Sequence, residues 1–543
     1  MNQCLAVYDV TGIQDFIFAS SKAKENIGGS IYIQKIFENG LTDCIKSLGK
    51  EVQTNWKQIP DNAPWVNNYY KAEVIYIGGG NAMILFINKT TAVKVTKELS
   101  QKILKETQAT LGIVVAYQET DLANFKEDKE NLFKKLNNNK NSLIRSTPLR
   151  GISITRECVD GLPTSGKKSN DNIYISDIAY AKRDLAQNNN RASNIFSNLL
   201  PENSNVLFPD EFDDLGQMEG ESHIAVVHID GNSMGQFIDE KIAEKTAYTE
   251  AIPIMGEISI KIQSLYTDLF KKMVAMCNKA ITDEEVKKQI RLKNDNLPVR
   301  PIILNGDDVA FVCDGRIGIQ LAAYFLGELA NTPLNIEDKD EILSACAGVA
   351  IVKSHFPFFR AYQLAEELCA SAKEKAKYLN QTDPGCWLDY HIVYSGFQTD
   401  LDVMRSGMYD VPGMDKVSHD VEFPQYNLLI RPFCVSGNAN TNELHKWENM
   451  KTLRSEMVKI PRSRLKGLRN SFIISEENAK LQQEQNSSRN YHLPEYNIGG
   501  GSKYTSENLF QANQTPYFEP LELLDFYLPS FEKYLDATVK AGE

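Results

Sequence analysis

The sequence predicts an α+β protein: two ferredoxin-like βαββαβ modules, a small linker region and a C-terminal helical domain. Two observations predict it. The first is an internal repeat. "LAVYDVTGIQDFIF" at 5–18 matches "IAVVHIDGNSMGQFI" at 224–238, which sets Asp9 opposite Asp230. "VIYIGGGNAMILF" at 74–86 matches "PIILNGDDVAFV" at 301–312, which sets Asn81 opposite Asp307 and Ala82 opposite Asp308. "TLGIVVAY" at 110–117 matches "CAGVAIVK" at 346–353, with Gly112 opposite Gly348. The second is the order of periodicities in the second copy, which reads β, α, β, β, α, β and is the split βαβ pattern.

In the second copy an apolar strand ends at Asp230 and a helical region follows over roughly 232–280. The charged tract "TDEEVKKQIRLKNDNLP" at 282–298 reads as a solvated insertion. The hairpin "IILNGDDVAFVCD" turns at Asn305-Gly306, a tight-turn dipeptide. "IGIQLAAYFLGELAN" carries apolar residues at helical spacing, "ILSACAGVAIV" reads as a strand, and "FFRAYQLAEELCASAKEKAKYLN" as an amphipathic helix. The predicted boundaries are 1–150 for the first module, 151–220 for the linker, 221–400 for the second module and 401–543 for the C-terminal region.

Composition narrows the function classes. With 42% hydrophobic and 24% charged residues the chain is an ordinary globular protein. No apolar run is long enough to span a membrane, and "MNQCLAVYDV" has no signal-peptide pattern. Nine scattered cysteines without a CxxC pair exclude a disulfide framework and a zinc finger, so reduced thiols in a cytoplasm are expected. A net charge of -12 argues against a whole surface that wraps nucleic acid, while leaving a local basic patch open.

Asp307 and Asp308 pose a physical question. Adjacent carboxylates between apolar runs repel, and burying them is costly without a cation. The βαββαβ topology places Asp230 beside them in one antiparallel sheet. Three carboxylates on one sheet edge are tolerable if they share hard divalent cations. An isolated NGDD is more often a solvated turn; the upstream Asp-Gly-Asn at the start of the same module favours a metal site.

"HIDGNSMG", "LNGDDVAFV" and "AGVAIVKSHFPFFRAYQLAEELCASAKEKAK" resemble the second Palm domain of the type III CRISPR large subunit, the polymerase-cyclase called Cas-ten. "DVTGIQDFIFASSKAKENIGGSIY" resembles its first Palm. The resemblance implies Palm domains of polymerase or GGDEF-cyclase type that join ATP into cyclic oligoadenylates, releasing pyrophosphate, in anti-phage signalling. It implies that Asp230, Asp307 and Asp308 are catalytic and, with the Ile229 carbonyl, bind two Mg2+ or Mn2+ ions. It implies nucleotide contacts at Gly231, Asn232, Ser233, Met234, Gly235, Asn305, Gly306 and Lys373, and at Gly28, Gly29 and Ser30 in "KENIGGS". A plain Gly-rich turn and a solvated lysine are the alternatives for the last groups. The implied partners are ATP, CRISPR-type subunits and a downstream cyclic-nucleotide effector, with RNA binding undecided and no membrane. A non-catalytic nucleotide-binding scaffold, and a cyclase with a mono- or dinucleotide product, remain the other readings.

Departures from the family refine this. The family's His-Asp nuclease domain is not expected, and His419-Asp420 reads as a surface loop. Asn305-Gly306 replaces the usual Gly-Gly; asparagine tolerates positive φ. Cys158 stands alone in "TRECVDGLPTSGKK", so zinc is not expected. The first module keeps Asp9 only, so it is read as degenerate. In the tail, Leu453, Met457, Leu465 and Leu468 suggest a helical core. Lys459, Arg462, Arg464, Lys466 and Arg469 form a basic cluster without interleaved aromatics, read as a solvated face rather than an RNA surface. Residues 482–505 read as a mobile loop.

Overall fold

The structure is a computed structural model. It describes residues 2–539 except 58–69, 144–153, 159–163, 169–171, 188–191, 216–221, 293–295, 395–399, 413–424, 438–440, 498–502 and the single positions 19, 21, 79, 108, 155, 156, 203 and 382. His419-Asp420 lies outside the described residues.

The first module runs β1 (Gln3–Thr11), α1 (Ala23–Lys35), β2 (Ala72–Gly78), β3 (Asn81–Phe86), α2 (Lys89–Glu106), β4 (Gly112–Thr120) and α3 (Phe125–Asn141). Its sheet order is β2-β3-β1-β4, with a short edge strand Val52–Gln53 beyond β2. Both neighbours of β1 are antiparallel to it, as a split βαβ unit requires. Cys4 to Tyr8 are buried without alternation, because β1 is central and covered on both faces. Asn88 and Asn124 start α2 and α3 by accepting the backbone N–H of Thr91 and Glu127.

A linker helix, α4 (Asp177–Gln187), leads to the second module: β5 (His223–Gly231), α5 (Met234–Lys241), α6 (Tyr248–Ala280), β6 (Val299–Asn305), β7 (Asp308–Asp314), α7 (Gly318–Asn331), β8 (Ala345–Lys353), α8 (Phe358–Leu379) and β9 (Cys386–Ile392). The sheet order is β9-β8-β5-β7-β6, closed at the β9 edge by β10 (Phe433–Ser436). The C-terminal region therefore donates a strand to this sheet. It continues with α9 (Trp447–Met457) and α10 (Arg462–Ile474), where Leu453, Met457, Leu465 and Leu468 are all buried.

The tract 282–298 is not wholly solvated, because Glu284–Ile290 is a helix that buries Val286 and Ile290 four residues apart. Residues 482–487 belong to the helix Glu476–Ser487, whose Gln483 and Asn486 are buried. The expected helical region after Asp230 is two helices, α5 and α6.

The modules share their interior. One apolar cluster contains Leu5 and Val7 of β1 together with Val227 and Ile229 of β5 and most of α6. Gly348 in β8 lets α8 lie close on the sheet, since a Cβ there would sit 2.0 Å from the Ala365 carbonyl oxygen. Polar contacts also cross the boundary: Ser30 donates to the Ile302 carbonyl at 2.6 Å, and Tyr248 donates to Asp128 at 2.8 Å. No helix among the described residues is long and apolar enough to cross a membrane.

Candidate functional site

The site forms where β5 and the β6–β7 hairpin end together. Ile229 is fully buried and faces Val309 of β7 on one side and Ala347 of β8 on the other. The next residues along β5 and back along β7 are Asp230 and Asp308, so both carboxylates leave the ladder at one end of the sheet. The hairpin turn is Gly306-Asp307, because Asn305 pairs with Asp308 as the last rung. This corrects the expected Asn305-Gly306 turn. Positive φ falls on Gly306 (65°), not on Asn305, and glycine takes it without strain. Gln263 of α6 clamps the turn by accepting the Gly306 N–H at 2.6 Å.

Asp307 folds back over β5. A Cβ on Gly231 would stand 2.6 Å from Asp307 Oδ2, so glycine at 231 makes room for the carboxylate. Lys373 reaches from α8 and donates to Asp230 Oδ2 at 2.5 Å and to the Gly231 carbonyl at 2.8 Å. Asp308 is divided: its side chain is 38% exposed, yet Oδ1 is buried, has no hydrogen-bond partner among the described residues and lies 3.5 Å from His228 Nδ1.

The electrostatics follow from burial. Burial and then the Asp230 charge push Asp307 up to about 6. Burial, Asp230 and Asp307 push Asp308 well above the usual carboxylate range. Burial pushes His228 down to about 4, so it is a neutral imidazole at pH 7. Burial acts to lower Lys373, but Asp230 more than offsets it and the ammonium is favoured. The cluster thus carries more negative charge than it can comfortably hold, with one lysine as counter-charge.

Two cavities flank the hairpin. One of about 930 Å³ is lined by Gly306, Asp307, Met234 and Gly235 of the second module and by Tyr76, Asn81, Lys126 and Lys134 of the first. Lys126 and Lys134 have no ion pair among the described residues. The other, of about 320 Å³, is lined by Asn305 and Asp308 on one side and by Gly80, Ser30 and Lys57 on the other. The paired acids therefore face different cavities, both shared between modules.

Other expected contact residues are engaged in packing. Gly28 and Gly29 lie within α1 rather than in a loop. A Cβ on Gly28 would meet the Lys182 carbonyl oxygen of α4 at 1.9 Å, so glycine there serves helix packing. Ser30 is committed to Ile302. The Asn232 amide donates to Ser344 and to the Gly385 carbonyl and holds its loop from inside. Ser233 adopts φ 53° before α5. Sequence reasoning missed His228, Gln263 and Glu366. Glu366 on α8 is bonded by Gln14 of the first module, and burial raises it to about 7. The α8 periodicity marks Glu366 only as one of many charged positions; its approach to Asp308 depends on packing.

The first module differs by more than the repeat implied. Asp9 pairs in register with Asn81, so Asn81 occupies the place of Asp308 and Gly80 that of Asp307. The structural register lies one residue from the sequence match, because a one-residue slip leaves an apolar run looking the same. Asp9 is paired with Lys140 at 2.9 Å.

Among the described residues no group of three or more His, Cys, Asp or Glu side chains stands in metal-ligand geometry. The donor set still suits a hard cation: the orphaned Asp308 Oδ1 is an oxygen ligand without a partner, and Lys373 already places positive charge on Asp230. An acid cluster with its own lysine, opening on lysine-lined walls, suits a ligand that carries phosphates and brings cations.

Residues 65–146 match the family model described as Csm1 subunit domain B. This segment spans β2 to α3 of the first module and excludes the acids at 230, 307 and 308. The curated proteins contain no match. Among solved structures, the chain is similar to a Csm1-Csm4 cassette in complex with pppApA, at 12% identity and TM-score 0.46, covering 96% of this chain and 69% of that one. It is similar to a Csm1-Csm4 cassette in complex with AMPPNP, at 13% identity and TM-score 0.42, covering 89% and 64%. It is also similar to Csm1 in T. onnurineus, at 15% identity and TM-score 0.42, covering 74% and 54%. The chain spans 52% to 56% of the length of three further Csm1-Csm4 cassettes.

Proposed function

We propose that the protein is a metal-dependent nucleotidyltransferase that converts ATP into a cyclic oligoadenylate, as a relative of the type III CRISPR large subunit. The observation that carries this reading is the meeting of Asp230 and Asp308 at the ends of paired strands, with Asp307 on the turn between two cavities. Asp230, Asp307, Asp308 and the Ile229 carbonyl would hold two divalent ions, whose chemistry is to activate an attacking hydroxyl and steady a leaving pyrophosphate. Lys373 would exchange Asp230 for a triphosphate oxygen. Lys126 and Lys134 would draw phosphates into the larger cavity, while the backbone over Gly231–Gly235 and Asn305-Gly306 borders the nucleotide. Asn81 and Gly80 leave the first module to shape the cleft rather than to bind a second pair of ions. CRISPR-type subunits are the proposed partners, supported by the family-model match over 65–146. Zinc has no proposed role, and the proposed setting is the cytoplasm.

The Lys373–Asp230 contact favours a second reading, a nucleotide-binding scaffold without turnover, because it satisfies one acid internally. Incubation with each nucleoside triphosphate and Mg2+ or Mn2+, followed by mass spectrometry, separates the two. A cyclic oligoadenylate from ATP supports catalysis. Binding without product supports the scaffold, and a GTP-derived or mononucleotide ring changes the product class.

A further inference from the structure

The first module reaches the acid cluster through one turn of helix. In the short helix Ile13–Phe18, Gln14 and Phe18 stand four residues apart and share a face. In α8, Tyr362 and Glu366 do the same. The two turns meet: the Phe18 ring packs on the Tyr362 ring with centroids 4.2 Å apart, and the Gln14 amide donates to Glu366 Oε1. Tyr362 is buried, and its hydroxyl lies within hydrogen-bonding reach of Glu366 and 3.4 Å from His228 Nδ1. His228 stands opposite Gly348 in the sheet, where the missing side chain lets α8 lie close enough for Tyr362 to reach it. His228 Nδ1 is also 3.5 Å from the buried Oδ1 of Asp308. A line of polar groups therefore runs Gln14, Glu366, Tyr362, His228, Asp308, from one module to the acid pair of the other.

Donors and acceptors give this line a direction. His228 is a neutral imidazole, so only one ring nitrogen carries a proton. Its Nδ1 faces both the Tyr362 hydroxyl and Asp308. If Tyr362 donates to Nδ1, that nitrogen must be bare, and Asp308 Oδ1 stays a buried oxygen without a donor, which is costly. If Tyr362 donates to Glu366, which Gln14 holds in place, Nδ1 is free to carry the proton and donate it to Asp308. The second arrangement satisfies every group in the line. The separation of 3.5 Å is a few tenths of an ångström beyond a full hydrogen bond, which a small rotation of the carboxyl covers. A carboxylate oxygen has two lone pairs, so a donor from His228 leaves Oδ1 room for a cation as well.

We propose that His228 is a positioning residue for Asp308: Gln14, Glu366 and Tyr362 hold it as the Nδ1–H tautomer, and it donates to Asp308 Oδ1 and fixes that carboxyl for a divalent ion. The inference deepens the reading of Asp308 as a metal ligand and rests on it for the last step only. The tautomer is read by NMR of protein carrying isotopically labelled histidine, in chelator and without nucleotide, with His228→Asn to identify one signal among the seven histidines. The measurement is made at pH 8, above the value of about 7 to which burial raises Glu366. The wild type is expected to carry the proton on Nδ1. Glu366→Gln keeps an acceptor for Tyr362 and should keep that tautomer. Glu366→Leu removes the same charge and also the acceptor, so Tyr362 turns to Nδ1 and the proton moves to Nε2. Adding Tyr362→Phe to Glu366→Leu should restore the Nδ1–H form. Mn2+ affinity, read by electron paramagnetic resonance without nucleotide, should fall about tenfold in His228→Leu, as is usual when a ligand loses its hydrogen-bond partner. It should stay near the wild type in His228→Asn, whose amide can still donate. A wild-type proton on Nε2, or a tautomer indifferent to Glu366→Leu, overturns the proposal. So does wild-type Mn2+ affinity in His228→Leu while Asp308→Asn binds weakly. Wild-type Mn2+ affinity in Asp308→Asn overturns the metal reading instead, and the tautomer, measured without metal, still decides the role of His228.

Discussion

Lys373 Nζ lies 2.5 Å from Asp230 Oδ2, and this contact links the last helix of the second module to the end of its first strand. The pair is only partly buried, with 21% and 41% of the side chains exposed, so solvent screens it and its share of stability is modest. Its importance is electrostatic: it is the one cation set directly on the acid cluster among the described residues. Lys373→Met should lower the melting temperature by a few degrees in chelator at pH 7. The lysine is raised by its partner, so its stabilisation is present below the ordinary value of 10.5 and is lost as pH climbs beyond it. The same variant should gain more melting temperature from Mn2+ than the wild type does, because nothing then competes for Asp230. Differential scanning fluorimetry with and without Mn2+ decides this; an equal gain would show that Lys373 and the ion do not share a site.

Asp307→Asn/Asp308→Asn should abolish nucleotide turnover while leaving the circular dichroism spectrum intact. It should also melt above the wild type at pH 7. Asp307 is raised to about 6 from an ordinary 3.8, so the folded state prefers its neutral form and loses stability as pH climbs through that window. At pH 4 the advantage of the variant should shrink, since the wild-type carboxyls are then protonated in the fold. Full turnover by the variant would remove these acids from the proposed reaction.

Asp9→Ala should reduce activity far less than Asp230→Ala. Asp9 faces Asn81 and is held by Lys140, so the first module has one acid where the second has three. Comparable losses in a product assay, with both variants folded, would mean that the first module takes a direct part in the reaction.

Gly28→Ala should destabilise by about 1–3 kcal/mol, since the added methyl meets the backbone of α4 at 1.9 Å and overpacking costs that much. Gly235→Ala has open space around the new methyl and should melt near the wild type. Thermal denaturation of the two side by side tests whether Gly28 serves packing or ligand contact.

Arg431→Met should destabilise by about 3–5 kcal/mol, because it strands two buried carboxylates. Arg431 bonds Glu519 at 3.2 Å and Glu522 at 2.6 Å, all three essentially inaccessible. Adding Glu519→Gln and Glu522→Gln should restore much of the loss. Urea titration of the single and triple variants measures both effects, and a triple variant as unstable as the single one would assign the loss to packing of the arginine stem.

The sequence by itself determined the strands, the long helices, the doubling of the module and the candidate acids at 230, 307 and 308. Those features are written in local signals: apolar runs, helical spacing and turn residues act over a few positions, so they survive translation into structure. The neighbouring of β5 and the β6–β7 hairpin in one antiparallel sheet followed from the same pattern; the further strands β9 and β10 of that sheet did not. Only the tertiary structure decided the register that sets Asn81 in the place of Asp308, because a one-residue slip leaves an apolar run looking the same while moving every side chain. It decided that Gly28 serves a helix contact, since the oxygen it accommodates belongs to Lys182, far along the chain. It brought Lys373 onto Asp230 and gathered a basic cavity from β5, β8, α9, α10 and residues 524–529. The physical reason is common to all of these: each depends on groups brought together by burial of the shared core, and burial is a property of the whole chain rather than of any stretch of it.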